Sequence, residues 1–387
     1  MSKELEIYIH IPFCVQKCRY CDFLSGPADN ETKERYMEAL CQEISEKSAE
    51  YNVYRVTSVF IGGGTPTVVR PEWIERVMEL LKKRFHIEDA AEITIEMNPG
   101  TVDRRALEMY HKAGINRLSI GLQSARDKEL VMLGRIHSYE QFLEAYFTAR
   151  EIGFSNINVD VMSGLPGQTL ESYMETLKKV TELNPPPEHI SAYSLIVEEG
   201  TPFYEAYERE ELNLPEEETD RAMYEATRVF LQKKGYERYE ISNYAQKGFE
   251  CRHNVGYWKR KNYVGFGMGA ASLVENVRFH NGDSLCMYMQ NPCKCMMDIE
   301  RLSIEEQMEE TMFLGLRMAE GVSYKAFENC FGIGLHTVYG DIIKKHMDDG
   351  LLEICRRNTG NMPDEYVSLT LRGMDVSNYV MADFLEP

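Results

Sequence analysis

The 387-residue sequence predicts an α/β fold: a partial (β/α)6 barrel, then a mixed middle region, then a small helical carboxyl-terminal unit. Two observations predict the barrel. Six short runs rich in apolar and β-branched residues alternate with amphipathic stretches, the pattern of parallel strands joined by crossover helices. Polar or glycine-rich segments follow the first five runs, and in parallel α/β architectures the carboxyl ends of the strands share one face and build the site.

The strands are expected at residues 5–11, 56–61, 92–96, 116–120, 157–162 and 190–196. Helices are expected between them at 31–49, 71–84, 103–112, 138–151 and 169–183. Six units are too few to close an eight-unit barrel, so an open one is expected. The acidic stretch from Glu205 to Asp220 reads as a solvated helix and loop where the architecture changes. Residues 1–200 are assigned to the barrel, 201–298 to the mixed extension and 299–387 to the helical unit, which ends in a hairpin-like segment near Leu351 to Leu371.

Charge narrows the partners. Lys and Arg total 43 against 62 Asp and Glu, a formal charge of −19 that repels phosphate backbones and anionic lipid surfaces. Nucleic acid is therefore not an expected partner. No apolar run reaches the roughly 18 residues a membrane span needs, and no basic-then-apolar leader is seen, so a cytoplasmic location is expected. The ten cysteines fall at irregular spacings in a long chain, which favours reduced thiols and metal ligation over a disulfide framework.

The loops after the strands carry the chemistry. The first holds Cys14, Cys18 and Cys21 in the spacing CxxxCxxC. Three thiolates can hold three irons of a four-iron cluster and leave the fourth iron open for a ligand; zinc or a redox pair would use Cys18-x-x-Cys21 equally well. The second loop is GGGTP, Gly62 to Pro66, whose bare glycines let backbone groups approach a ligand or simply make a tight turn. Glu96, Gln123, Arg135 and Asp160 stand at or beyond strand ends. They offer carboxylates for ammonium or hydroxyls, an amide, and a guanidinium for a carboxylate. Taken singly, each reads equally as a surface or capping residue.

Together these motifs resemble the radical S-adenosylmethionine (SAM) superfamily, whose CxxxCxxC loop leaves one iron for the amino and carboxylate groups of SAM. More closely, YIHIPFC, Tyr20-Cys21, GGGTPT, the Glu96-x-Asn-Pro segment, GLQS and the stretch from Asp160 to Pro166 resemble the oxygen-independent coproporphyrinogen III oxidase family over nearly the whole chain. The resemblance implies a 4Fe-4S cluster on Cys14, Cys18 and Cys21. It implies SAM contacts from Tyr8, Tyr20, Gly63, Gly64, Thr65, Glu96, Gln123, Arg135 and Asp160, and a winged-helix-like ending that could cover the open barrel.

Two departures separate the chain from the oxidase proper. The oxidase motif continues with a further cysteine two residues after the third, where this chain has Asp22 and Phe23, and only seven residues precede Tyr8. The segment His253-Asn254-Val255-Gly256-Tyr257-Trp258 meanwhile resembles the HNxxYW signature of the family's heme chaperone (HemW-like) branch. That likeness makes His253 the leading heme-iron ligand, with Tyr257 and Trp258 as flat walls for a macrocycle and Cys251 as the competing ligand. Without the family, His253 reads as a packed core histidine. The expected function is a heme chaperone that uses a cluster and SAM and passes heme to an acceptor protein, with no catalytic residue assigned. The alternative is oxidative decarboxylation of coproporphyrinogen III. Gly265-x-Gly267-x-Gly269 reads as a loop bordering one of the pockets, and Cys286, Cys293 and Cys295 as ordinary thiols in preference to a second cluster.

Overall fold

The computed structural model describes residues 3–359 and 362–385. Its barrel runs β1 (Glu4–Ile11), α1 (Asn30–Lys47), β2 (Arg55–Gly63), α2 (Pro71–Arg84), β3 (His86–Met97), α3 (Arg104–Ala113) and β4 (Arg117–Gln123). It continues through α4 (Asp127–Leu133), α5 (Tyr139–Ile152), β5 (Ile157–Ser163), α6 (Leu170–Thr181) and β6 (His189–Ser194). All six strands pair in parallel in sequence order, as the alternation predicts. The short α4 was not expected from the sequence.

Strand alternation sorts the side chains onto two faces. Outward residues such as Ile7, Ile9, Ile61, Ile95, Leu118 and Ile120 are fully buried in the main apolar core. The other set, Glu6, Ser58, Glu92, Arg117, Asn158 and His189, is also buried although polar. Register places Glu6 opposite Ser58, Ser58 opposite Glu92, and Asn158 opposite His189, so these groups form one layer near the amino ends of the strands.

The middle region does not stand apart from the barrel sheet. After α7 (Pro202–Glu208) and α8 (Glu217–Lys233), β7 (Glu237–Arg238) and β8 (Asn243–Ala245) extend the sheet beyond β6 in antiparallel fashion. Beyond the short α9 (Arg252–Trp258), β9 (Tyr263–Phe266) pairs in parallel with β1. Then β10 (Ala271–Val274), β11 (Val277–Asn281), α10 (Leu285–Gln290) and β12 (Met296–Arg301) complete that edge. Both open edges of the barrel are thus continued by strands of the middle region.

The last unit contains α11 (Ile304–Gly315), β13 (Val322–Ser323), α12 (Tyr324–Phe331), α13 (Leu335–Asp348), β14 (Leu352–Thr359) and β15 (Met362–Leu369), followed by two short helices. Its three strands make their own sheet around a second apolar core, and the β14–β15 pair falls where a hairpin is expected. The unit does not cover the barrel mouth. It meets the barrel through a bridge between Glu240 and Met318 and through Val255 and Trp258 of α9, which pack with Met318. Among the described residues, no helix is long and apolar enough to cross a membrane.

Candidate functional site

The cysteine loop leaves β1 and closes on itself. Cys14 N–H donates to the Gly26 carbonyl at 3.0 Å, Gly26 N–H donates to the Pro12 carbonyl at 3.0 Å, and Arg19 N–H donates to the Leu133 carbonyl at 3.0 Å. His10 Nε2 meets the Leu24 carbonyl at 3.1 Å from below. These bonds pin both ends of the loop and leave three free, half-buried thiols facing a cavity of about 370 Å³. Burial pushes the Cys21 thiol up, with smaller contributions from Cys18 and Cys14.

The glycine loop is shaped to admit the cysteine loop. Gly63 has φ +117°, a left-handed conformation that side chains disfavour. A Cβ on Gly64 would lie 2.6 Å from the Phe13 carbonyl oxygen and 2.9 Å from Cys14 Sγ. Thr65 N–H donates to the Phe13 carbonyl at 2.7 Å, and its hydroxyl lies 3.7 Å from Cys14 Sγ. Among the described residues, no three His, Cys, Asp or Glu side chains converge on a single metal ion. A four-iron cluster does not need such convergence, because each cysteine holds a different iron.

The remaining walls come from the later strands. Arg135 Nη1 lies 3.6 Å from Cys18 Sγ, while Nη2 donates to the Gly121 carbonyl at 2.6 Å and to Asn98 Oδ1. Glu96 accepts from Gly63 N–H at 3.2 Å; burial, reinforced by Asp160, pushes its carboxyl up to about 8. Asp160 is also raised, by burial, against the hydrogen bond that Asn158 donates at 2.7 Å. Gln123 stands at φ 69° where β4 slips register against β5, and its amide oxygen accepts from Tyr193 at 2.8 Å. A buried amide held in this sparsely populated conformation is a constraint typical of ligand sites.

Of the residues expected to contact SAM, Tyr20, Gly63, Gly64, Thr65, Glu96, Gln123, Arg135 and Asp160 line this cavity together with the three cysteines. Tyr8 does not. Its hydroxyl lies 2.9 Å from His10 Nδ1 and its ring packs near Phe60 and His253 below the mouth. Asn98 and Tyr193 are cavity residues missing from the expected set. Asn98 was signalled by its place two residues after Glu96, whereas Tyr193 looked like an ordinary strand residue.

The HNxxYW segment lies elsewhere. It forms α9, which plugs the opposite, amino-terminal end of the barrel. Glu92 receives backbone N–H bonds from Arg252 at 3.2 Å and His253 at 3.3 Å, so a carboxylate meets the start of the helix. His253 is 1% exposed. Its Nδ1 bonds Ser58 Oγ at 2.8 Å and its Nε2 bonds Tyr257 OH at 3.0 Å, while its ring stacks on Phe60. Burial holds its pKa down at about 3 and raises that of Glu6, 3.7 Å away, to about 9. Both are therefore neutral near pH 7, and the contact is not an ion pair.

In this arrangement the expected heme ligands His253, Tyr257 and Cys251 are paired with protein groups. Neither nitrogen of His253 is open to iron, and Tyr257 is occupied holding it. Cys251 is fully buried, its thiol directed 3.5 Å from Glu92 and pushed up to about 12 by burial. Gly256 is required sterically, since a Cβ there would lie 1.9 Å from Glu6 Oε1. Trp258 lines a second cavity, apart from the mouth. The Gly265 to Gly269 loop borders neither pocket; Gly267 N–H donates to Glu43 at 2.9 Å and Met268 N–H to Tyr36 OH at 3.0 Å, behind the cysteine loop. Cys295 donates to the Pro292 carbonyl at 3.0 Å, and Cys286 is exposed.

A polar column joins the two ends. Asp160 bonds Asn158 at 2.7 Å, Asn158 Oδ1 bonds His189 Nδ1 at 2.6 Å, His189 Nε2 bonds Tyr239 OH at 2.8 Å, and that hydroxyl accepts from Cys251 N–H at 3.3 Å.

The partial barrel with three cysteines and a glycine loop at its mouth defines a radical SAM protein, and the radical SAM superfamily profile matches residues 8–180. The HemN C-terminal domain profile matches residues 302–376. The heme chaperone HemW of Bacillus subtilis is 36% identical over 382 residues, covering 98% of this chain and 98% of that one. HemW of Haemophilus influenzae is 40% identical over 348 residues, 87% of this chain and 89% of that one. The chain belongs to the heme chaperone HemW family. Its fold also matches the Escherichia coli coproporphyrinogen III oxidase structure, with a TM-score of 0.84, 24% identity, and coverage of 100% of this chain and 91% of that one.

Proposed function

We propose that the chain is a heme chaperone that carries a 4Fe-4S cluster on Cys14, Cys18 and Cys21, binds SAM in the mouth cavity, and passes heme to an acceptor protein. The observation that carries the first part is the convergence of three free thiols, the glycine loop, Glu96, Arg135 and Asp160 on one cavity. The heme part is supported by the name shared by relatives matching nearly the full chain.

A cluster bound there supplies electrons and one iron position for the amino and carboxylate groups of SAM. The residues present then divide the work. Arg135, held by Gly121 and Asn98, offers a fixed cation for a carboxylate. Glu96 is poised to lose its proton when an ammonium arrives, because a cation favours the charged carboxylate that burial disfavours. Tyr20 and Met162 add apolar wall.

Anaerobic reconstitution followed by iron and sulfide analysis tests the cluster: about four of each per chain is expected, and uptake of zinc without sulfide would refute it. Hemin titration of the purified chain tests the cargo. The decarboxylase alternative predicts protoporphyrinogen from coproporphyrinogen III with reduced cluster and SAM; none is expected.

A further inference from the structure

Outside the mouth, one cavity combines apolar walls, cations and a reactive group. It lies between the end of α9 and the last unit, with a volume of about 340 Å³, at the lower end of the roughly 300–1,000 Å³ range of small-molecule sites. Trp258, Phe327, Phe331 and Tyr366 provide flat apolar surface, and the exposed thiol of Cys330 lies on its rim. Arg317 covers one face of Trp258 at 4.4 Å, and the indole Nε1 is buried with no hydrogen-bond partner among the described residues.

The charge of the lining is opposite to that of the chain. Lys259 and Arg260 face the single acidic residue Glu320, while the protein as a whole carries −19. Lys259 pairs with Glu320 at 3.2 Å at an accessible position where an incoming anion can exchange partners, whereas Arg260, largely buried, is held by Glu310 at 2.8 Å. An occupant matching this cleft is flat, largely apolar and anionic at one edge. Those are the properties of a porphyrin carrying propionates. The cleft is reached by Trp258 of the HNxxYW segment, so it gives that segment a route to a ligand that buried His253 lacks.

We propose that this cleft is where the chain docks heme, with Trp258 and Phe331 along the porphyrin, Lys259 toward its carboxylates, and Cys330 as the iron ligand. The inference rests on the heme-binding reading and gives it a place. On binding ferric iron the Cys330 thiol releases its proton to solvent as the sulfur–iron bond forms, and no electron is transferred. The ligand sits on an exposed rim and not in the core, which suits a cargo that must leave.

The test is titration of the full chain with hemin and, separately, with metal-free protoporphyrin IX, read by absorbance and electron paramagnetic resonance. Wild type, Cys330→Ser, Phe331→Asp and His253→Gln are compared, with thermal melts to establish folding. Cys330→Ser should abolish the thiolate spectrum with hemin and leave protoporphyrin IX affinity within about twofold. Phe331→Asp should weaken both ligands at least tenfold, and folded His253→Gln should retain the wild-type hemin spectrum. Wild-type hemin spectra and affinity in both cleft variants would overturn the assignment while leaving heme binding intact. Absence of hemin binding by wild type would overturn both.

Discussion

The two ends of the barrel are built from the same six strands and are opposite in kind. At the mouth, the thiols are free, the carboxylates line a cavity, and Arg135 points its charge toward Cys18. At the base, Glu92 accepts from Cys251 and from the backbone of His253, whose ring is held by Ser58 and Tyr257. Cysteine and glutamate occur at both ends, so residue type does not separate a binding site from a plug. What separates them is that the mouth groups line a cavity while the base groups are packed beneath α9.

The contrast can be broken most sharply with cysteine variants. Cys18→Ser should lose nearly all reconstituted iron and sulfide with an unchanged melting temperature, whereas Cys251→Ser should keep the cluster. Retention of a full cluster by Cys18→Ser would place the ligands elsewhere. Next in size, Arg135→Ala should weaken SAM binding by tens-fold, since hydrogen bonds to charged groups contribute about 1.5–3 kcal/mol. Equilibrium dialysis on cluster-loaded protein reads this directly.

At the base the expected effects fall on stability. Gly256→Ala forces a methyl against the Glu6 carboxyl, and overpacking of this kind costs about 1–3 kcal/mol. Urea unfolding should show that loss. A smaller and more diagnostic effect is pH dependence. His253 takes a proton at about 3 when folded but near its ordinary value of 6.5 when unfolded, so its contribution is present above 6.5 and is lost as pH falls toward 3. His253→Gln should flatten that acid slope. Glu96, raised to about 8, and Glu6, raised to about 9, act in the other direction: their contribution is present below about 4.5 and is lost as pH rises through those values. Glu96→Gln should remove part of the alkaline loss.

The mouth was legible in the sequence because its signals are local. CxxxCxxC, GGGTP and the polar residues at strand ends lie in short segments whose order fixes where they meet once the strands are parallel. The base was not legible, because its partners are scattered. Glu6, Ser58, Glu92 and Arg117 each look like a polar residue in an apolar strand, and only the register of the sheet gathers them beneath α9. The HNxxYW segment therefore looked like a ligand set when most of it is occupied in holding the plug. The middle strands were missed for a related reason: β9, β10 and β11 are only four or five residues long, and they become strands by pairing with an edge that already exists.

The central claim is that cluster and SAM occupy the mouth while heme is held at a separate place. SAM binding to the cluster-loaded chain, measured with and without saturating hemin, tests it most directly. The account predicts simultaneous occupancy, with SAM affinity changed by less than about threefold. Displacement of SAM by one equivalent of hemin would contradict it.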